Sequence, residues 1–210
     1  MTDRTDTARL EAFCDGVFAI AITLLVIEIH VPHAGEVARL GGLWPALGVR
    51  WPSYLGYTIS FLTIGIMWTN HHAVLEYVRR ADRSFLLINV AFLMTVAFLP
   101  FPTAVLAEYV NHPAERVAAT AFYGGALFVI AIGFNALWLV GIRDRSRIGH
   151  ADPEAVNTIT RRYRMGPIGY AAATALAFVN VWLSLATHAA LAILFALSEK
   201  PSRSARASNA

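Results

Sequence analysis

Long stretches without charged residues dominate the pattern of polar and apolar positions along the chain. Four intervals lack Asp, Glu, Lys and Arg altogether: 25 residues after Arg50, 24 after Arg83, 26 after Arg116 and 34 after Arg164. An α-helix needs roughly 20 mostly apolar residues to cross about 30 Å of hydrocarbon. Each of the first three intervals therefore predicts one membrane-spanning helix. The fourth is too long for one helix and fits two short ones of about 17 residues.

The stretch 10–31 also reads as a spanning helix, although it carries acidic residues. Asp15 and Glu28 enclose only 12 uncharged residues. A signal peptide is the alternative, but its start should be basic, and Asp3 and Asp6 lie there. Ionisable groups inside a membrane cost several kcal/mol unless they are paired or hydrated. We therefore predict a true span whose polar residues serve the protein's function.

Together, these intervals predict an all-α polytopic membrane protein with six transmembrane helices in a single domain, residues 1–199. The predicted helices are 10–31, 51–75, 84–108, 116–142, 165–181 and 183–198. The last two form a hairpin that turns near Asn180 to Leu183. The basic tail, residues 200–210, is predicted to be disordered and cytoplasmic.

The basic residues indicate how the helices are oriented. With six spans, 14 of the 17 Lys and Arg residues fall on one side, and only Arg39, Arg50 and Arg116 fall on the other. Basic loops stay in the cytoplasm, so both termini of this multi-pass protein are predicted to face the cytoplasm from the plasma membrane. A single helix over 165–198 would place the basic tail outside, which favours the hairpin.

Composition excludes several other classes of protein. Hydrophobic residues make up 57% of the chain and charged residues only 15%, whereas about a quarter of a soluble domain is charged. A single cysteine excludes an internal disulfide and any multi-cysteine metal site. The net charge of +3 is explained by topology, so no nucleic-acid partner is predicted. Nucleophile-elbow, P-loop and dinucleotide-binding motifs are missing from the sequence, and neither an enzyme activity nor a cofactor is predicted.

Local signals refine two of the predicted elements. In the loop 143–164, the sequence Asp-Pro-Glu at 152–154 is typical of a helix start. A short cytoplasmic helix is predicted to run from there towards Arg164. Pro100 and Pro102 are predicted to kink the third spanning helix or to mark its outer end.

One face of the first predicted helix is apolar apart from one hydroxyl. At 100° per residue, seven positions cluster on this face: Phe13, Gly16, Val17, Ile20, Thr23, Leu24 and Ile27. Lipid contact or core packing would account for such a face, and Thr23 can bond a carbonyl of its own helix. Glu11 and Asp15 share another side, four residues apart, which is unfavourable unless a cation or a donor lies beside them. Arg9 points away from Asp15 and either needs a partner on another helix or extends into water.

The second helix carries polar residues near its cytoplasmic end, including Trp68, His71 and His72. Adjacent histidines point about 100° apart on a helix, and a zinc site needs more ligands than these two. Ligation of haem by the pair is a further alternative. A structural role is favoured, in which Trp68 or one histidine hydrogen-bonds Asp15. His188, in the last helix, is predicted to serve packing.

The segment Arg9-Leu10-Glu11-Ala12-Phe13-Cys14-Asp15 resembles the R-x-x-x-F-S-D signature on the first helix of the transmembrane protein 175 family of potassium channels. The continuation 16–26 and the segment Trp68-Thr69-Asn70-His71-His72 are also similar to that family. Length and helix number match its bacterial members, which have one six-helix unit. Cys14 departs from the signature, because it stands at the serine position and a thiol is a weaker hydrogen-bond donor than a hydroxyl.

The resemblance implies a homotetramer in which helix 1 of each subunit lines a central, potassium-permeable pore. It places a hydrophobic constriction at Ile20, Leu24 and Ile27. Thr23 is the candidate for a hydroxyl ring that favours potassium. A ring of large aliphatic side chains dewets a narrow pore, and a dry constriction blocks ions.

The same resemblance gives the signature residues a structural role, because they would hold the pore helix against helix 2. These residues are Arg9, Phe13, Cys14 and Asp15, and their candidate partners are Trp68, His71 and His72. Of the two histidines, His72 is preferred as the partner.

Two other functions compete with a passive channel. A proton- or cation-coupled secondary transporter would use Asp15, Glu28 and the histidines as a relay. An inverted repeat or broken helices around a midplane site would favour it, and the sequence shows neither. A membrane enzyme or a metal- or haem-binding subunit would use His71 and His72. We predict the passive channel, with potassium ions, the lipid bilayer and further copies of the chain as its partners.

Overall fold

Helices account for all the regular secondary structure in the part of the chain that the computed structural model describes, which comprises residues 3–78, 81–143 and 153–197. The helices are α1 (Asp3–Ile27), α2 (Ala34–Arg39), α3 (Leu43–Val49), α4 (Trp51–Tyr77), α5 (Arg83–Phe98), α6 (Pro100–Tyr109), α7 (Arg116–Ile142), α8 (Pro153–Ala175) and α9 (Val181–Leu197). A 3₁₀ turn, Leu176–Phe178, links the last two. The predicted disordered tail, 200–210, lies outside the described residues.

Three helical stretches are long and apolar enough to cross a membrane: Ala8–Ile27, Arg83–Tyr109 and Arg116–Ile142. A shorter apolar helix covers Val181–Phe195. The all-helical class and the membrane-spanning character agree with the sequence analysis, and the count of six spans stays a prediction.

The first helix ends earlier than predicted. It stops at Ile27 rather than at residue 31, and the chain then forms a turn in which the amide of Ile29 bonds the carbonyl of Val26 at 3.1 Å. Pro32 disfavours helical backbone at the residue before it and has no N–H of its own. The helix therefore ends before the chain reaches this proline.

Two short helices, α2 and α3, fill the stretch between the first two predicted spans. Gly41 and Gly42 separate them with φ angles of 79° and 141°. Residues with a Cβ rarely adopt these angles. Beside this turn, Arg50 at the start of α4 pairs with Glu36 of α2 at 2.7 Å.

Prolines affect two of the long helices in opposite ways. The predicted helix 84–108 is divided at Leu99 into α5 and α6, since Pro100 lacks the N–H that would continue the hydrogen-bond ladder. In contrast, the predicted cytoplasmic helix and the span 165–181 form one continuous helix, α8, which contains Pro167. Pro167 cannot bond the carbonyl of Tyr163, and the side-chain amide of Asn135 donates to that carbonyl at 2.8 Å instead.

Packing places α1 and α8 on different sides of the subunit. Helix α7 packs against α5, α6 and α8, whereas α1 packs mainly against α4 and α5. Helix α9 follows a turn in which Asn180 accepts a bond from the amide of Leu183 at 3.0 Å. The core between these helices is aromatic and aliphatic, and its largest fully buried side chains include Phe18, Phe92 and Trp138.

Candidate pore helix and its contacts

Helix α1 has one buried face. Its side chains follow a spacing of three or four residues and are at most 9% exposed: Leu10, Cys14, Phe18, Ala21 and Leu25. This spacing repeats along one side of an α-helix. The buried face is therefore the side on which the rest of the subunit holds α1.

The face predicted to line a pore is exposed in the subunit. The side chains of Ile20, Leu24 and Ile27 are 62%, 38% and 67% exposed, and Phe13 is 54% exposed. Thr23 is also exposed, and its hydroxyl lies 3.0 Å from the carbonyl oxygen of Ala19 and 2.9 Å from that of Ile20. Within residues 3–78, 81–143 and 153–197, this aliphatic face is therefore largely uncovered.

Asp15 lies between the two faces and is bound by a tryptophan of α4. The indole Nε1–H of Trp68 donates to Asp15 Oδ1 at 2.7 Å. One turn earlier, Glu11 Oε1 lies 2.9 Å from Nδ1 of His72, and the rings of Trp68 and His72 are 6.5 Å apart. Glu11 and Asp15 thus each have a partner on α4, which relieves the unfavourable i, i+4 spacing of the two carboxylates.

Cys14 belongs to a buried hydrogen-bonded chain that joins three helices. Asn89 of α5 donates through Nδ2 to the sulfur of Cys14 at 3.2 Å, and its Oδ1 lies 2.7 Å from Nε2 of His71 on α4. Because an amide oxygen only accepts, His71 must carry its proton on Nε2 in this contact. All three side chains are at most 1% exposed.

Aromatic rings enclose this chain. The imidazole of His71 stacks on Phe92 at 5.7 Å with an interplanar angle of 10°, and the ring of Phe18 lies 5.4 Å from it. Phe18 and Phe92 are in turn 6.2 Å apart. Hydrogen-bonding groups inside an apolar shell cost free energy when any of them lacks a partner. This cluster therefore fixes the relative position of α1, α4 and α5.

Trp68, His71 and His72, the candidate residues on α4, make different contacts. Trp68, and neither histidine, bonds Asp15. His72 contacts Glu11 at the exposed end of the helix, whereas His71 reaches Cys14 through Asn89. His72 is the predicted partner of the signature residues, but the buried contact with Cys14, at the serine position of the signature, is made by His71 through Asn89. Arg9 is exposed and forms no ion pair with any residue that the structure describes.

Asn89 is the residue whose role the sequence did not reveal. Its signal was a lone amide in an apolar span, which must find partners when buried. A second buried polar group lies around α7, where Ser60 Oγ is 2.8 Å from Thr103 Oγ1 and 3.1 Å from the hydroxyl of Tyr123. His188 packs beside it, 6.0 Å from the ring of Tyr123.

No group of three or more His, Cys, Asp and Glu side chains within residues 3–78, 81–143 and 153–197 is placed to hold a metal ion. Glu28, which the transporter alternative uses, lines a pocket with His30, Arg50 and Glu108. This pocket adjoins the C-terminal end of α1, about three turns beyond Asp15. The described side chains therefore do not bring Asp15, Glu28 and the histidines together into one relay.

Comparison with known proteins gives consistent results. Residues 9–100 match the family model described as endosomal/lysosomal potassium channel TMEM175. A potassium channel of Chamaesiphon minutus is 49% identical over 93% of this chain and 96% of its own length. A potassium channel of Streptomyces collinus is 44% identical over 93% of this chain and 94% of its own length.

The fold matches as well. The crystal structure of a lysosomal potassium-selective channel TMEM175 homolog from Chamaesiphon minutus superimposes with a TM-score of 0.84. It is 48% identical in sequence, and the match covers 92% of this chain and 97% of that one. This family consists of ion channels of the membrane and not of enzymes. The signature on α1, its contacts with α4 and these matches show that the chain belongs to the TMEM175 potassium channel family.

Proposed function

We propose that this protein is a potassium-permeable cation channel, in which four copies of the chain surround a central pore and α1 of each copy lines it. The exposed aliphatic face of α1 carries this proposal. The helix is fixed from its opposite side by Cys14, Phe18 and Leu25, whereas the face with Ile20, Leu24 and Ile27 is exposed among the residues that the structure describes. The named activity of the bacterial relatives supports conduction of potassium.

The chemistry of the exposed face determines how such a pore behaves. Rings of Ile20, Leu24 and Ile27 form a constriction from which water is excluded, and ions do not cross a dry constriction. A small rotation of α1 replaces the Ile20 ring by Ala19 or Thr23 and admits water. The hydroxyl of Thr23 points back to the carbonyls of Ala19 and Ile20, which leaves its oxygen lone pairs to face a passing cation. The pore then conducts passively and favours potassium at the Thr23 ring.

The positive-inside distribution of Lys and Arg orients the channel with both termini in the cytoplasm of a bacterial cell. In this orientation the contacts of Asp15 with Trp68 and of Glu11 with His72 lie towards the cytoplasmic side. These contacts, together with the chain Cys14–Asn89–His71, hold the pore helix in place rather than select ions.

Potassium flux from liposomes that contain the purified protein tests the proposal. An outward potassium gradient drives efflux, and a proton ionophore with a pH-sensitive dye reports it. We expect efflux above that of empty liposomes and a severalfold increase for Ile20→Asn, because an amide wets the constriction. The matched control is Val26→Asn, since Val26 is 53% exposed on α1 but lies off the predicted pore face.

An unchanged rate for Ile20→Asn in a well-formed oligomer would remove Ile20 from the constriction. Equal increases for Ile20→Asn and Val26→Asn would mean that α1 is perturbed generally and does not present one face to the pore. No efflux from either the wild type or the variant would favour the transporter alternative.

A further inference from the structure

Along one face of helix α8, charged side chains are followed directly by apolar ones. Arg161, Arg164, Met165, Ile168 and Ala172 share this face at helical spacing, and all five side chains are exposed. Met165 and Ile168 are 60% and 63% exposed. Such a face suits a helix that leaves the hydrocarbon and enters the headgroup layer between Arg164 and Met165.

The contact between α7 and α8 gives an independent estimate of the depth in the membrane at which this face changes from charged to apolar. The amide of Asn135 bonds the carbonyl of Tyr163 at 2.8 Å, so Arg164 lies at the level of residues 134–135 of α7. Helix α7 begins at Arg116, and the 18 residues from there to Phe134 span about 27 Å. This distance agrees with the roughly 30 Å of a hydrocarbon core, which places Arg164 at its cytoplasmic boundary.

Neither arginine is neutralised within the part of the chain that the structure describes. Arg161 and Arg164 form no ion pair there, and the nearest acidic residue on the same face, Glu154, is two turns from Arg161, about 10 Å along the axis. A guanidinium presents a planar set of donors that matches a phosphate group. Two such groups above an apolar surface are complementary to one phosphate above its acyl chains.

We propose that Arg161 and Arg164 form a binding site for the headgroup of an anionic glycerophospholipid of the cytoplasmic leaflet, whose acyl chains lie along Met165 and Ile168. That this face looks towards lipid, away from the pore axis, rests on the proposed role of α1, which packs against α4 and α5 on another side of the subunit. The site goes beyond the positive-inside role of these arginines, because it requires a lipid of one charge rather than only an orientation.

Native mass spectrometry of the full, detergent-solubilised protein tests the site by counting bound phosphatidylglycerol against phosphatidylcholine with the same acyl chains. We expect the wild type to prefer phosphatidylglycerol. Each arginine near an anionic headgroup contributes about fivefold to the affinity, so Arg161→Gln with Arg164→Gln should abolish most of the preference. The control pair, Arg39→Gln with Arg116→Gln, removes the same charge from exposed positions outside this face and should retain it.

Several results would overturn the proposal. One is a preference for phosphatidylglycerol that survives when both Arg161 and Arg164 are replaced by glutamine. Another is an equal loss of the preference in the control pair, which would indicate that net charge alone causes it. Displacement of the lipid by free inorganic phosphate would show that the site takes phosphate and not a lipid. If the glutamine pair fails to fold, salt added to the wild type decides, because a preference that salt does not weaken excludes an exposed arginine site.

The test is independent of conduction. Native mass spectrometry counts bound lipids without any measurement of ion flux. The result therefore stays interpretable even if the protein does not conduct potassium. Arg161→Lys with Arg164→Lys keeps the charge but loses the planar donor set. It should therefore retain a preference between those of the wild type and the glutamine pair, which a purely structural role for the guanidinium groups would not predict.

Discussion

On one side of α1, Cys14 ends a hydrogen-bonded chain that runs through Asn89 to His71, and the aromatic rings of Phe18 and Phe92 enclose it. On the other side, Ile20 and Ile27 are mostly exposed within the part of the chain that the structure describes. The two sides therefore divide the work of the helix. Polar and aromatic contacts fix its position from one side, which leaves the aliphatic side for the pore that we propose.

Two adjacent leucines give the largest expected contrast between the sides. Leu25 is fully buried and Leu24 is 38% exposed. The same substitution, leucine to alanine, can be made at both positions. We expect Leu25→Ala to lower the free energy of unfolding by about 2–5 kcal/mol, since it leaves a cavity. Leu24→Ala should cost much less stability and should raise potassium flux. Thermal unfolding in detergent and liposome flux provide the two readouts.

Equal destabilisation by the two leucine variants would contradict this division. It would indicate that the Leu24 side of α1 is packed as tightly as the Leu25 side, and a pore lined by that face would then be excluded.

The buried chain should be the next most sensitive feature. Asn89→Leu removes the acceptor of His71 and the donor to Cys14, and the imidazole N–H is then buried without a partner. Such a group costs about 1–3 kcal/mol, which a shift in the thermal unfolding midpoint measures. Asn111→Leu, at an exposed position, is the control for loss of an amide. An equal shift in its unfolding midpoint would mean that the hydrogen bonds of Asn89 do not stabilise the fold.

The contact of Asp15 should give a smaller effect on stability. Asp15→Ala deprives the Trp68 indole of its acceptor at 2.7 Å, but this tryptophan is 43% exposed, so water replaces part of the bond. We expect a loss of about 1 kcal/mol that appears as a lower yield of oligomer in size-exclusion chromatography. The ratio of potassium to sodium flux should not change. A well-formed oligomer with altered selectivity would overturn the structural role of Asp15.

Local spacing was enough to predict some of these features. The exposed face of α1 follows from a period of 3.6 residues within a single helix, and the division of the third helix follows from Pro100, which lacks an N–H. The sequence also named Trp68 as a candidate donor to Asp15, because both residues were placed towards the cytoplasmic side.

Contacts between distant residues lay beyond such reasoning. Asn89 and Cys14 are 75 residues apart, and no spacing rule links positions on different helices. Likewise, the sequence predicts a cytoplasmic helix that ends near Arg164 and a separate span after it. Helix α8 instead continues through Pro167, because Asn135 of α7 satisfies the carbonyl that the proline leaves free. The sequence shows which groups need partners, but only the packing of the helices shows which partners they find.

Cysteine modification can show whether the exposed face of α1 lines the conducting pore. Wild-type Cys14 is fully buried, so a water-soluble thiol reagent should leave wild-type potassium flux unchanged. We predict that the reagent blocks flux through Ile27→Cys and spares Val26→Cys, its neighbour on another side of the helix. Block of the Val26 variant with no effect on the Ile27 variant would show that a different face of α1 lines the pore.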